Sequence, residues 1–322
     1  MAAIPRATER EAAGFMMSAV FVCLASVRDV YLGGLFQRLS PLDVAVVAFA
    51  LCSVIFLPIA LARSPESLRV ALRRPRELFW INATSALAWI AFFFALETIE
   101  PLIVQILFSG IGPLSVVWID RLISGAAAAA GLGRAERRAH LGLLASLGLA
   151  ALVVLCGLSG AGPQPLGRAV LGAVLAAGAG LSISVNTILC RQLNDAGVDP
   201  AALVSVRFPG AVALALALAI PTGHGFASLY SASALPTVLG ASALLVVFPI
   251  YVNQVGISLA SPLTVRVVLA GAPVLIFLLQ LVDGRMSASP YSLASGVIYG
   301  VFAVSAAVTR RRAIRADNPE KG

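Results

Sequence analysis

Long apolar runs recur along this chain with short polar breaks between them, and no other feature limits its fold so tightly. The runs are Gly14–Phe36, Pro41–Leu61, Phe79–Leu96, Pro101–Ile123, Leu141–Leu158, Val170–Leu189, Ala201–Ile220, Leu235–Ile257, Pro262–Val282 and Ser292–Val308. Each has about the 17–25 residues that a helix needs to cross a bilayer. The apolarity is continuous rather than alternating, which excludes barrel strands, and every backbone group must then be satisfied within its own segment. The expected fold is an all-α polytopic membrane protein of about ten transmembrane helices. Composition agrees, since 59% hydrophobic and 12% charged residues leave too little polar surface for a water-soluble domain.

One stretch occurs twice. Phe92–Arg121 reads as an apolar helix end, a short polar turn and a second apolar helix, and a similar stretch follows about 161 positions later. Pro101 then falls on Pro262, Leu102 on Leu263, Val104 on Val265 and Gly110 on Gly271, and a one-residue shift brings Pro113 onto Pro273. Five spans per half is an odd number, so the second half enters the membrane with opposite orientation. The expectation is two inverted five-helix repeats, residues 1–160 and 166–310, followed by a tail over 311–322. The Gly- and Pro-rich segment Ser159–Arg168 suits the linker between them.

The net charge of +8 is distributed by loop rather than by surface patch. Arg63, Arg69, Arg73, Arg74 and Arg76 follow span two, Arg134, Arg137 and Arg138 follow span four, and Arg191 follows span six. Arg310, Arg311, Arg312 and Arg315 lie in the tail, whereas the intervening loops hold only Arg38, Arg168 and Arg285. This alternation is the positive-inside pattern and places both termini in the cytoplasm. The basic excess is topological, so no nucleic-acid partner is expected; the partners are the lipid bilayer and a small-molecule substrate, and a homodimer is compatible with the sequence. The mixed-charge amino terminus leads straight into a full-length span, which is expected to be retained. Cys23, Cys52, Cys156 and Cys190 lie singly in or beside apolar runs, and His140 and His224 fall in or beside loops, so neither disulfide, metal nor cofactor is expected.

With FALETIEPLIVQILFSGIGPL and VGISLASPLTVRVVLAGAPVL at equivalent places in two inverted halves, the chain resembles the drug/metabolite transporter superfamily in its EamA-like branch. The resemblance covers essentially the whole chain. It implies a transport role without naming a substrate, because the family carries amino acids, nucleotide-linked sugars, vitamins and toxic cations. Many members place a glutamate just after the fourth and ninth helices, where this chain has Asp120 and Asp283, so no role is carried over to those acids.

A charged side chain inside a span is costly and marks function by default. Arg28 and Asp29 in span one, Arg207 in span seven and Arg266 in span nine qualify, and Gln105, Asn186, Tyr251, Asn253, Gln254 and Gln280 add neutral polar groups. Arg266 leads, because Arg266, Ala270, Pro273, Phe277 and Gln280 share one helix face, matched in the first half by Gln105, Ser109, Gly112 and Val116. Such a face lines a cavity or a close helix crossing, and Arg266 alternatively caps a helix end. Arg28 and Asp29 stand about 100° apart round the helix, which argues against mutual contact. Asp29 then pairs with an arginine of another helix or serves proton coupling or a substrate ammonium, and Arg28 snorkels outward. Arg207 snorkels to the cytoplasmic surface in the simpler account. Asn186 lines the cavity or bonds across helices, and Trp89 forms an aromatic wall.

No G-x-S-x-G, H-E-x-x-H or P-loop motif occurs, so ATP does not drive the protein directly and no enzyme is expected. The expectation is a secondary transporter, working as an exporter, of a small polar metabolite such as an amino acid or related carboxylate. It would act by alternating access in the cytoplasmic (inner) membrane. Efflux of lipophilic cations or drugs is the rival, and a membrane-embedded enzyme or scaffold stands third. Single cysteines introduced at His224 and at Arg137 in a cysteine-free background should label from opposite sides of the membrane. Labelling from one side would overturn the topology.

Overall fold

The computed structural model describes residues 7–124, 133–222, 234–260 and 262–317. Side chains at 7–10, 113, 116–124, 222, 262, 263, 266 and 310–317 lie outside that description. The described residues form helices α1 (Ala7–Leu35), α2 (Pro41–Arg63), α3 (Pro65–Leu72), α4 (Pro75–Thr98) and α5 (Pro101–Ser124). Then follow α6 (Arg134–Leu155), α7 (Leu166–Asp195), α8 (Pro200–Val206), α9 (Pro209–Ala219) and α10 (Leu235–Ala241). The chain continues through α11 (Phe248–Leu259), α12 (Pro262–Leu269), α13 (Ala272–Asp283) and α14 (Pro290–Asp317). No strand occurs among the described residues.

Eight helical segments are long and apolar enough to cross a membrane, and Pro101–Gly112 and Val267–Asp283 are shorter apolar helices among the described residues. Large apolar side chains point outward along most of these segments: Phe15 and Met16 on α1, Val54 on α2, Leu144 and Leu152 on α6, Val174 on α7 and Val301 on α14 are exposed. In water such a surface would be strongly unfavourable, and in lipid it is the ordinary exterior. The chain is an all-α multi-pass membrane protein.

Proline sets many of the helix starts. Pro41, Pro65, Pro75, Pro101, Pro200, Pro209, Pro262 and Pro290 each open a helix. There the missing N–H costs nothing and the fixed φ suits the first turn. The preceding residue often completes the cap: Ser40 Oγ accepts from Leu42 N at 3.2 Å, and Asp199 Oδ1 accepts from Ala201 N at 2.8 Å.

The same chemistry breaks two of the expected spans internally. Span seven is interrupted at Arg207–Phe208, where Pro209 cannot donate, and resumes as α9. Asn82 of α4 repairs the break: its Nδ2 donates to Val206 O at 2.9 Å, and its Oδ1 accepts from Gly210 N at 2.9 Å. In span eight a π-helical turn over Ser242–Val247 joins α10 to α11, with Phe248 N bonded five residues back to Ala243 O just before Pro249. Span nine is also divided, between α12 and α13 at Ala270–Gly271.

The bundle is built from α4 against α7, α6 against α14, α5 against α7, α1 against α11 and α13, and α2 against α8 and α9. At Gly180 α7 passes so near α5 that a Cβ would collide with the Phe108 carbonyl. The interior is aromatic: Phe36, Phe49, Phe56, Trp89, Phe92, Phe93 and Phe208 are buried in one cluster. Asn82→Leu would leave the part-buried Val206 O and Gly210 N–H without this partner, at up to about 1–3 kcal/mol for each unsatisfied group. Thermal unfolding of the purified variant in detergent should show a clearly lowered Tm, and an unchanged Tm would remove Asn82 from the repair of the break.

Candidate functional site

Among the described residues, three polar centres that hold a buried charged residue stand out in the apolar interior. The first lies in α1, about two turns before its end at Leu35. Arg28 and Asp29 are 2% and 0% exposed, and Arg28 Nε donates to Asp29 Oδ1 at 2.7 Å. The expectation that neighbours so far apart round a helix would not meet is wrong, and so is the expected snorkelling of Arg28. Nε is the guanidinium nitrogen nearest the backbone, so the side chain needs only to fold sideways to reach an adjacent carboxylate. With both groups desolvated, the pairing offsets part of a cost that separation would leave whole. The guanidinium then lies over the rings of Trp89 and Phe92, at 5.0 and 5.3 Å from their centroids. Three polar atoms remain buried without a hydrogen-bond partner: Arg28 Nη1, Asp29 Oδ2 and Trp89 Nε1.

The second centre is at the break between α8 and α9. Arg207 is 3% exposed, which corrects its expected snorkelling. The side chain continues the buried face of Leu203 and Val204, one turn back on α8, and its Nε donates to Ser85 Oγ at 3.0 Å and its Nη1 to Gln254 Oε1 at 3.2 Å. Its guanidinium is 5.1 Å from the Phe208 ring centroid. Asn186 of α7 joins the same cluster, with Nδ2 donating to Ile81 O, Thr84 Oγ1 and Ser85 Oγ at 3.0, 2.9 and 2.8 Å. Of the two roles open to Asn186 in the sequence, bonding across helices is therefore the observed one. Phe49 ties the two centres together, stacked on Phe208 at 5.0 Å and tilted against Trp89 at 5.9 Å.

The third centre lies at the end of the bundle where α4 and α6 finish and α5, α7 and α14 begin. Glu100, between α4 and α5, is buried, and its Oε2 accepts from Gly160 N at 2.8 Å and Ser292 Oγ at 2.6 Å. Burial pushes its carboxyl above the usual range, against hydrogen bonds from Ser292, Gly160 and Gln280 that pull it down. Gln280 Nε2 donates to Met286 Sδ at 3.3 Å, and its Oε1 is buried without a partner. The same end is tied by Gln37 Nε2 and Arg168 Nη2 to Glu97 O, at 3.0 and 2.9 Å, and by Arg285 Nη2 to Val30 O at 2.6 Å. The opposite end is tied by Ser67 Oγ to Gly197 O at 3.1 Å and by Arg191 Nη1 to Ile257 O at 2.9 Å.

The remaining sequence candidates are dispersed. Tyr251 stacks on Phe56 at 4.7 Å, and Asn253 is half-buried on α11. Gln105 is buried on α5 with Oε1 unpartnered, and the next turn carries Ser109, which accepts from Tyr299 Oη at 2.9 Å. Arg266, the leading sequence candidate, lies in α12, but its side chain is outside the described residues. Sequence reasoning passed over Ser85 and Glu100. Glu100 stands inside the repeated stretch, next to Pro101, and its position at a helix junction was the available signal. Nothing in the sequence distinguishes Ser85 from other small residues of α4.

No family model matches the chain, and no curated protein matches it. One solved crystal structure is similar over 97% of this chain and 99% of its own, with a TM-score of 0.61 and 20% sequence identity. At that identity the likeness shows the fold alone.

Because its carboxyl is raised in the folded protein, Glu100 contributes stability that is fully present below its ordinary value of 4.5 and lost as pH rises through the raised one. The Tm of the natural protein relative to Glu100→Gln should therefore climb as pH falls from neutral towards that value. Parallel pH profiles for the two proteins would show that Glu100 does not titrate in this range.

Proposed function

We propose that the chain is a secondary transporter, an exporter of a small zwitterionic or carboxylate metabolite such as an amino acid, acting by alternating access. The observation that carries this reading is the Arg28–Asp29 pair. Nε and Oδ1 bond each other while Nη1 and Oδ2 are buried without a partner, so a donor and an acceptor lie on adjacent residues within the bundle. A zwitterion presents the complementary pair, a carboxylate for Arg28 and an ammonium for Asp29, and binding it would satisfy both buried atoms at once. Trp89 adds a third free donor and an aromatic wall. Efflux of a lipophilic cation held by Asp29 fits less well, because Arg28 already occupies one carboxylate oxygen.

Ten spans in two inverted halves belong to the same reading, and the packing supports them. Exchanging the halves turns α4 against α7 into α11 against α1, and α5 against α7 into α12 and α13 against α1. The contacts of α2 with α8 and α9, and of α6 with α14, map onto themselves. Two similar bundles of this kind can rock about a central site. The end tied by Ser67 and Arg191 is the arginine-rich one, which supports cytoplasmic termini in an inner membrane. With the repeated helix pairs, these features favour membership of the EamA-like drug/metabolite transporters.

A thermal-shift screen of purified protein against amino acids and simple carboxylates should yield a stabilising ligand that also supports counterflow in proteoliposomes. Arg28→Gln and Asp29→Asn should each weaken that stabilisation about tenfold or more, since a hydrogen bond to a charge is lost. Full ligand-induced stabilisation in both variants would remove the pair from the site.

A further inference from the structure

The Arg207 centre has an imbalance that the transport reading does not use. It holds a buried cation with no carboxylate partner among the described residues. Its hydrogen-bond partners are the side chains of Ser85 and Gln254. A lone cation withdrawn from water costs several kcal/mol even after relaxation, and neutral partners offset only part of that.

A structural role as a helix cap does not account for it. Arg207 stands at the carboxyl end of α8, where an arginine could serve the last carbonyls. Its bonds go to side chains of α4 and α11 instead, and the Val206 carbonyl is taken by Asn82.

Donors also outnumber acceptors there. Ser85 Oγ accepts from both Arg207 and Asn186, which leaves its own hydrogen to donate. Gln254 turns its amide oxygen to the guanidinium, and its Nε2, in a residue 0% exposed, has no partner. Reversing that amide would set N–H against N–H, so the orientation is chemically required. The centre therefore combines a fixed positive charge, a free amide N–H and a free hydroxyl hydrogen, while the acceptors beside the guanidinium, Ser85 Oγ and Gln254 Oε1, are both engaged. The positive end of α9 begins two residues beyond Arg207 and adds potential of the same sign.

We propose that Arg207, Gln254 and Ser85 form an anion-binding station, separate from the Arg28–Asp29 pair, that takes a small monoanion, either a halide or a carboxylate group. Such an ion would neutralise the guanidinium and accept from the amide and hydroxyl together. The station stands without the transport reading, because it concerns binding alone.

The test uses the full chain purified in detergent at constant ionic strength, with isethionate as the balancing anion. Bromide or acetate is titrated in, and Tm is followed. The natural protein and Arg28→Gln should both show a saturable rise. Gln254→Leu should raise the midpoint about tenfold, as expected for the loss of a hydrogen bond to a charged group. Arg207→Gln should abolish the response. A rise with bromide identifies an inorganic anion, and a rise with acetate alone identifies a carboxylate; either supports the station. An anomalous bromide peak beside the guanidinium would locate it. No saturable response to either anion, or a response that survives Arg207→Gln, overturns the proposal. If Arg207→Gln fails to fold, Gln254→Leu decides, and an unchanged midpoint overturns it. Because Arg28→Gln should respond normally here, failure of the station and failure of the zwitterion site are separately visible.

Discussion

A polar group inside a lipid-embedded helix bundle has no water to turn to, and much of this architecture follows from how that constraint is met. The break between α8 and α9 leaves a carbonyl and an N–H without intrahelical partners. Asn82 supplies both a donor and an acceptor at the right separation, which an amide can do and a carboxylate cannot. One side chain thereby lets a discontinuous helix persist in the interior. Arg207, at the end of α8 just before the discontinuity, lies on the same buried face as Leu203 and Val204.

From that break the bonding spreads across four helices. Asn186 draws α7 onto α4, Ser85 links Asn186 to Arg207, and Gln254 brings in α11. Small residues at close crossings such as Gly180 let the backbones approach far enough for such short side chains to reach. The aromatic cluster then fills what these polar links do not. Phe49 touches Phe208 on one side and Trp89 on the other, so packed rings, rather than a polar chain, lie between the Arg28–Asp29 pair and Arg207.

The ends of the bundle are held by a different device. Glu100, Arg168, Arg285 and Arg191 reach between helix ends, mostly to backbone groups rather than to opposite charges. Backbone carbonyls at helix ends are unsatisfied in any case, so an arginine placed there completes a terminus and ties two helices at once. Ties of this kind can be exchanged for water when an end opens, whereas the mid-bundle network around Ser85 cannot. Opening at the ends about a persistent centre is what the proposed alternating access would require.

The helical character of the runs, their membrane-spanning length and apolarity in eight segments, and the proline-initiated starts were legible in the sequence, because each depends on composition within a single segment. The breaks were partly legible, since Pro209 and Pro249 stand inside apolar runs, but the sequence does not say that Asn82 would repair one of them. Side-chain partnership was the part that sequence could not supply. Arg28 and Asp29 looked too far apart round a helix to meet, yet a flexible guanidinium closes that angle once desolvation favours it. Arg207 looked free to snorkel, yet it is buried against Ser85 and Gln254. Gln280 shared a face with Arg266, but its amide meets Met286 Sδ. Periodicity assigns a residue to a face; what it meets there depends on which helices pack, at what distance, and on how far a buried charge must bend to find a partner.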